Sequence, residues 1–404
     1  RPVETLTQTG SSFPGQATII VTPRLSRVYL DPAGTLAAVY STRESMVAST
    51  AALLAMHAVE PHSLDESLTK TLGPDRYFPA GLTPYEGVKR LLPNHYLDLK
   101  QWKPVRHWLH KSLTRMSDDE IPGAVEAIAS GIRRNIKAVT AKHTTYLGLT
   151  AGMDSRMILA CSRDFIDQTR SITFDYGKSV GSLDLTNSRH LARRYGLQHT
   201  VLPVEDIPEA DRTAYLQRIG YAGGAGKGRD FYETCRKHLS LGNAFLTGFT
   251  GEVGRQPGRR FSDGDSRSMP EPAEVLTVLG LPTTAPFLHA IQGWLSGIAC
   301  VDRRGLAAQI FLELRVGCWA SPHMYGAAPF AVNLTPFCHR TIYETMLRLP
   351  VRYWGQHRLP HDIVRSQWPE LAAVPFGRAP GVVGTLRHIQ KRLKGRLRQR
   401  AGRA

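Results

Sequence analysis

From Thr144 to Leu149 the chain is β-rich and apolar, and it then runs through Thr150-Ala151-Gly152-Met153-Asp154-Ser155-Arg156 into a segment carrying Met157, Ile158, Leu159 and Cys161. That order reads as a strand, a small-residue turn and a helix. Gly152 has no Cβ, so the backbone can turn sharply there and let an anion come close. Ser155 is placed to cap the helix. The first turn of a helix presents unpaired N–H groups and a partial positive charge, so a phosphate is stabilised there without a dedicated side chain. Asp154 would repel a bare phosphate. It makes sense as a ligand of a magnesium ion bridging phosphate oxygens, because this hard cation prefers carboxylate and water. The stretch is therefore the expected ATP site, with Leu149, Thr150, Ala151, Gly152, Asp154, Ser155 and Arg156 as the cradle and Asp154 as the metal ligand. For so short a match, an ordinary strand-to-helix turn with a capping Asp-Ser pair is the competing reading.

The elements around this turn follow an alternating pattern. After the loop helix come a strand over Ser171 to Asp175, a helix over Leu183 to Tyr195, a strand over Thr200 to Val204 and a strand over Ala244 to Thr247. Alternation of this kind implies a parallel sheet with helices on both faces, and ligands of such sheets sit beyond the carboxyl ends of the strands. The loop, Phe174-Asp175 and Gly248 are expected to meet at that edge. Upstream, Ser117-Asp118-Asp119-Glu120 reads as a capping box, and Val125, Ile128, Ile132 and Ile136 form one helical stripe.

The sequence resembles the asparagine synthetase-like amidotransferases. Their ATP-pyrophosphatase loop reads Ser-Gly-Gly-x-Asp-Ser, against Thr150-Ala151-Gly152-Met153-Asp154-Ser155 here. The resemblance continues in order through Ile172-Thr173-Phe174-Asp175-Tyr176, the helix Asp184 to Tyr195, Gly196-Leu197-Gln198-His199 and Thr247-Gly248-Phe249-Thr250-Gly251-Glu252. Thr83 to Asp98, Leu312 to Trp319, Asn333 to Phe337 and Trp368 to Phe376 continue it, so that the resemblance covers about Val28 to Arg378. The resemblance implies that Phe174 borders the adenine and that Gly248 and Gly251 belong to the nucleotide site. It also implies that Glu252 stands beside an acyl-adenylate, where it positions or deprotonates an incoming amine. The family's Asp in the Gly-Glu-Gly-x-Asp-Glu segment falls on Arg255, whose guanidinium could instead hold departing pyrophosphate. A surface pair of Glu252 and Arg255 on one helical turn is the alternative. Tyr325, His323 and Arg340 are further candidates to face substrate, although packing explains them equally.

The resemblance implies an α/β fold. Residues 113–378 would form an ATP-pyrophosphatase (adenine nucleotide α-hydrolase-like) synthetase domain with a helical C-terminal part, residues 1–112 a β-rich glutaminase-like remnant, and residues 379–404 a basic tail. In the N-terminal part, Ala17 to Thr22 and Arg27 to Leu30 read as strands. Asp31-Pro32-Ala33-Gly34 is a turn that could close a hairpin with Leu36 to Tyr40, and Ser49 to His57 reads as a helix. Family members use an N-terminal Cys nucleophile, whereas the first cysteine here is Cys161. Ser11 and Ser12 do not substitute, because the family mechanism takes the α-amino group of residue one as its base. His95 has the reading of a packed, hydrogen-bonded core residue.

Composition sets the outer bounds. At 404 residues the chain has room for about two domains. Its five cysteines are scattered without a Cys-x-x-Cys pair, which points away from a disulfide framework or a zinc site. No apolar run of transmembrane length and no signal-peptide pattern is visible, so cytoplasm is the expected location. The chain begins at Arg1 rather than Met, which fits either processing or a missing start. Of the formal charge of +17, nine cations and no acid lie from Arg378 onward. That tail could form a basic amphipathic helix against an anionic partner, or stay a solvated terminus, which is the commoner fate of charged chain ends. Arg259 to Asp265 suggests a loop that could close over the site.

The expected activity is an ATP- and Mg2+-dependent amide-forming ligase. A small-molecule or peptide carboxylate would be adenylated and passed to an amine, as in the similar β-lactam synthetases and lasso-peptide cyclases, with a carrier or precursor peptide as a candidate partner and natural-product, peptide or glycan modification as a setting. Three competitors remain: adenylation of a group in RNA, a non-catalytic nucleotide- or partner-binding descendant favoured by Ala151 and Arg255, and an enzyme whose glutaminase segment is missing from this chain.

Overall fold

The computed structural model describes residues 15–57, 77–177, 182–204, 208–223, 227–255, 269–298 and 302–378. Ser11, Ser12, Cys300, the loop Arg259 to Asp265 and the basic tail lie outside them. Seven short strands come first: β1 (Ala17–Val21), β2 (Ser26–Leu30), β3 (Val39–Ser41), β4 (Met46–Ala48), β5 (Val88–Arg90), β6 (His95–Asp98) and β7 (Lys103–Arg106), with helix α1 (Ala51–His57) after β4. They form two antiparallel sheets, in the orders β1-β2-β6-β7 and β4-β3-β5. The expected hairpin across Asp31 to Gly34 is not made, since β2 pairs with β1 and β6 while β3 pairs with β4 and β5. The buried Asp31 carboxylate explains why. It accepts the N–H groups of Gly15, Ala33 and Thr35, so the turn is fastened inward and hands the chain to the second sheet instead of folding it back.

Helix α2 (Ile121–Thr140) follows. Ser117 N–H donates to Glu120 at 2.9 Å, so one half of the capping box forms, while no side chain caps the helix itself. Ile128, Ile132 and Ile136 are fully buried, each worth about 1.5–3 kcal/mol relative to exposure. The alternating part consists of β8 (Thr144–Gly148), α3 (Met153–Cys161), β9 (Thr169–Asp175), α4 (Ser182–Tyr195), β10 (His199–Pro203), α5 (Glu209–Arg218), α6 (Lys227–His238) and β11 (Asn243–Leu246). A helical stretch then comprises α7 (Pro272–Leu279), α8 (Ala285–Ser296), α9 (Arg303–Gln309), a π-helix over Ile310–Ala320 and α10 (Ser321–Gly326). Strand β12 (Val332–Leu334) and helices α11 (Arg340–Arg348), α12 (Val351–Gly355) and α13 (Arg358–Gln367) complete the set.

The second sheet type is parallel throughout, in the order β10-β9-β8-β11-β12. Its two faces are covered by different apolar layers. Leu147, Ala244 and Leu246 pack with α2, α3, α11 and α13, whereas Ile172, Leu202 and Phe245 pack with Cys235 of α6 and with Leu239 just after it. After β8 the chain steps one way to β9 and β10, then returns to the other side of β8 for β11. The strand order therefore reverses between β8 and β11, and an open crevice is expected at their carboxyl ends.

The N-terminal sheets are not set apart by packing at residue 112. Ala33 and Trp108 belong to the same core as α2 and α3, and Tyr77, Phe78 and Leu92 pack with α7, α8 and the π-helix. Cys161, Cys235, Cys318 and Cys338 are buried free thiols. Among the described residues no helix is long and apolar enough to cross a membrane.

Candidate functional site

A cavity of about 390 Å3 opens at the carboxyl ends of β8, β9 and β11, at the reversal point of the sheet. The loop after β8 forms one wall through Leu149, Thr150, Gly152, Asp154 and Ser155. Phe174, Phe231 and Phe245 form the opposite one, with ring centroids 5.5–5.7 Å apart. Gly248, Thr250 and Glu252, in the segment after β11, close the third side.

The loop is held by its own side chains. Thr150 and Ser155 share a hydroxyl–hydroxyl bond of 2.8 Å, and Thr150 Oγ1 also accepts the Gly152 N–H at 3.0 Å. Ser155 thus braces the loop and does not cap the helix, contrary to its expected role. Gly152 sits at the N-cap position with extended backbone (φ −73°, ψ 163°), which any residue can adopt. Its use is space, since a Cβ there would lie 3.1 Å from Thr150 Oγ1. No side chain caps α3, so its first-turn N–H groups face the cavity end without a side-chain acceptor.

Two expected cradle residues are placed elsewhere. Ala151 is buried; its N–H donates to Asp184 Oδ1 at 2.7 Å and its carbonyl accepts Gly377 N–H, so its backbone joins α4 to the C-terminal segment. Arg156 is fully buried, donates Nη1 to Val374 O at 2.9 Å and lies over the Phe376 ring. It fastens the chain end and does not reach the cavity. The helix period explains the difference: four residues beyond the cap, a side chain on α3 already points to the core side.

Asp154 is the electrostatic centre. Arg255 Nε donates to its Oδ1 at 3.1 Å and Arg255 Nη2 to its Oδ2. Burial pushes the carboxyl up to about 6, the Arg255 guanidinium opposes that rise, and Glu252 adds to it. Gly248 and Gly251 let the segment after β11 close on this residue. A Cβ on Gly248 would lie 2.7 Å from Asp154 Cβ, and one on Gly251 would lie 2.5 Å from Asp154 Oδ1. Gly251 therefore serves by close approach and does not line the cavity, whereas exposed Glu252 does. The alternative pairing of Glu252 with Arg255 is displaced by the Arg255–Asp154 pair.

Sequence reasoning missed Thr173, Phe231, Phe245 and Thr250. Thr173 donates to Leu149 O at 2.7 Å and joins β9 to the loop. Thr250, a β-branched residue, holds a left-handed φ of 69° just before Gly251, a strained position that turns the chain into the site. The aromatic residues at 231 and 245 give no signal before the sheet order is known. Tyr325, His323 and Arg340 do not border this cavity: Tyr325 donates to Ser49, His323 meets Tyr215, and Arg340 donates to Asn94. Asp175 accepts the Gly177 N–H and stays outside the lining.

The residues fit an adenine nucleotide. An apolar aromatic wall accepts a base, and an uncapped helix start with a braced loop accepts phosphates. Magnesium fits less directly. The Asp154 carboxylate is already held on both oxygens, and among the described residues no cluster of three His, Cys, Asp or Glu is present.

No protein-family model matches the chain. Over 70 residues it is 30% identical to a 7-cyano-7-deazaguanine synthase of Methanosarcina barkeri, a stretch that covers 17% of this chain and 30% of that protein. The chain thus spans under a third of the curated relative it matches. Among solved structures, an NH3-dependent NAD synthetase from Campylobacter jejuni aligns at 12% identity with a TM-score of 0.22, covering 43% of this chain and 72% of that one. A glutamine-dependent NAD+ synthetase from Acinetobacter baumannii, in complex with ADP, aligns at 13% and 0.22, covering 53% and 50%. Parts of the chain are thus similar to parts of synthases and synthetases.

Proposed function

We propose that the chain is an ATP-dependent carbon–nitrogen ligase of the ATP-pyrophosphatase type, and more narrowly an asparagine synthetase-like one. The carrying observation is the cavity at the sheet's reversal point, which puts the α3 start, the Phe174 wall and Glu252 around one space. The narrower assignment rests on the ordered motifs of the sequence. A substrate carboxylate oxygen attacks the α-phosphorus of ATP, the bond to the bridging oxygen breaks, and pyrophosphate leaves. An amine nitrogen then attacks the acyl carbon, AMP departs, and the amine proton passes to Glu252. The α3 N–H groups bind the phosphates, Phe174 orients the base, and enclosure by the loop brings the two reactants together. Asp154 is the residue that would hold magnesium, which would supply charge neutralisation at the pyrophosphate. The amine is ammonia, a second substrate or a group of the same molecule, and the N-terminal sheets act as a remnant or docking surface.

A second reading, a non-catalytic nucleotide binder, is favoured by the Arg255–Asp154 pair, which occupies the carboxylate a metal would need. Calorimetry with Mg-ATP on the unmodified chain, Phe174→Leu and Glu252→Gln separates the two. The ligase reading expects Phe174→Leu to bind about tenfold more weakly. Glu252→Gln should bind equally well but lose AMP release with carboxylate and amine pairs by about a hundredfold or more. Absence of nucleotide binding by the folded unmodified chain would sink both readings.

A further inference from the structure

Four arginines of the described residues are more than nine-tenths buried, namely Arg90, Arg156, Arg304 and Arg340. Three of them share one arrangement, an oxygen acceptor plus an aromatic ring. Arg156 has Val374 O and Phe376, Arg304 has Leu349 O at 2.8 Å and Trp354, and Arg340 has Asn94 Oδ1 at 3.3 Å and Trp108. Arg90 has neither. Only 5% exposed, its guanidinium makes no hydrogen bond, ion pair or ring contact among the described residues, while its backbone N–H donates to Gly81 O.

Arg90 borders a cavity of about 460 Å3 between the N-terminal strands and α8, also lined by Lys89, His95, Arg106 and Trp294. No Asp or Glu lines it. Glu313 on the π-helix, the acid bonded to this set, is already satisfied: Asn94 and Arg106 donate to its Oε1, and Trp294 Nε1 donates to its Oε2 at 2.8 Å. Arg106 is thereby neutralised and Arg90 is not. His95 Nδ1 lies 3.0 Å from Pro93 O, so an N–H···O bond there leaves Nε2 as an acceptor. Burial lowers the pKa of His95, so the ring does not add a second charge. A buried cation without a partner is costly, and among the described residues the other three buried arginines each have one acceptor and one ring, whereas this one borders the cavity with neither.

We propose that this cavity binds a small molecule through an oxyanion, a carboxylate or a phosphate, gripped by the Arg90 fork with Lys89 at the rim and its apolar body against Trp294. The fork matches either anion through two parallel N–H···O bonds, and the volume suits a small metabolite-sized ligand. The proposal does not depend on the nucleotide reading.

Benzoate and inorganic phosphate serve as probes in calorimetric titrations of the full chain at matched ionic strength. The unmodified protein is expected to bind at least one of them, and the tighter of the two names the headgroup. Arg90→Met should weaken that binding at least tenfold and raise the melting temperature, because it removes an uncompensated charge. A residue retained for folding alone would lower it. Gly293→Leu, at a cavity-lining position of α8 with nothing within 4 Å of a Cβ, should block binding at least tenfold without touching Arg90. Asp154→Asn should leave it within twofold, since a loss there and not in Arg90→Met would place the anion at the nucleotide loop. Binding of neither anion by the folded chain, or affinity within twofold in Arg90→Met, overturns the proposal. Should Arg90→Met fail to fold, retained binding in Gly293→Leu does so.

Discussion

Asp154→Asn exposes a cost built into the site. Burial raises the Asp154 carboxyl from its ordinary 3.8 to about 6, even though Arg255 holds it down and only Glu252 adds to the rise. A carboxyl with a higher value in the folded chain binds its proton more tightly there. Its favourable contribution is complete below pH 3.8 and is lost as the pH rises through 6. A rise of this size is worth about 3 kcal/mol. Asparagine keeps the shape and does not titrate, so the unmodified protein should lose about 3 kcal/mol relative to the variant between about pH 3 and 8. Urea unfolding of both proteins at several pH values measures that difference, with other carboxylates cancelling. A difference constant to within about 0.5 kcal/mol over the window, or one that grows in favour of Asp154 as pH rises, would refute the reasoning. The latter outcome would mean that the Arg255 pair outweighs burial. On the proposal that Asp154 holds the metal, Mg-ATP should stabilise the unmodified chain more at pH 7.5 than at 5.5, and Asp154→Asn should show no such dependence.

Gly251→Ala places a methyl 2.5 Å from Asp154 Oδ1; unfolding should show a loss of about 1–3 kcal/mol, and calorimetry a loss of nucleotide affinity. Arg156→Met should leave ATP affinity unchanged, because the residue lies outside the cavity, and should alter stability by no more than about 1–4 kcal/mol in either direction, readable as a shift in melting temperature. Arg255→Met should raise the Asp154 value above 6 and weaken Mg-ATP binding about tenfold by calorimetry; tighter binding with a newly acquired magnesium requirement would instead mark Arg255 as a plug.

The parallel sheet was legible because each of its first four strands carries enough apolar residues to show against polar helices. β12 was not, as Val332-Asn333-Leu334 is too short to display a period and is recruited only by pairing with β11. The loop and its helix were legible from the run of small residues, and the edge of the sheet followed from alternation. The direction of individual side chains was not. Arg156 sits one turn into α3, and only the helix phase relative to Val374 and Phe376 decides that it points inward. The Asp31 turn fooled local reasoning for a similar reason. Turn chemistry was read correctly, but whether the chain returns or crosses depends on Gly15 and Thr35 reaching the same carboxylate. The aromatic wall combines residues 174, 231 and 245 from two strands and a helix, which no spacing along the chain could reveal.

Arg255 is where the two readings of the chain part, and charge balance says how. With no nucleotide, a half-buried Asp154 beside Glu252 would be two acids at one end of a cavity, and the guanidinium offsets that repulsion through two parallel bonds. A triphosphate brings several negative charges to the same end, where the α3 N–H groups alone cannot match them. Arg255 then has a stronger acceptor in phosphate than in a carboxylate whose burial already favours its proton. If it transfers, Asp154 is freed to accept a cation at the moment one arrives with the nucleotide, and the pair acts as a reserve of both charges. If it stays, the cavity meets ATP with a neutral pair, binding rests on base stacking and helix N–H groups, and no group remains to hold a metal at the leaving pyrophosphate. The same geometry therefore supports catalysis only when the ion pair can be exchanged. That exchange is easier here than for a fully buried pair because both side chains retain access to solvent, 17% for Arg255 and 20% for Asp154.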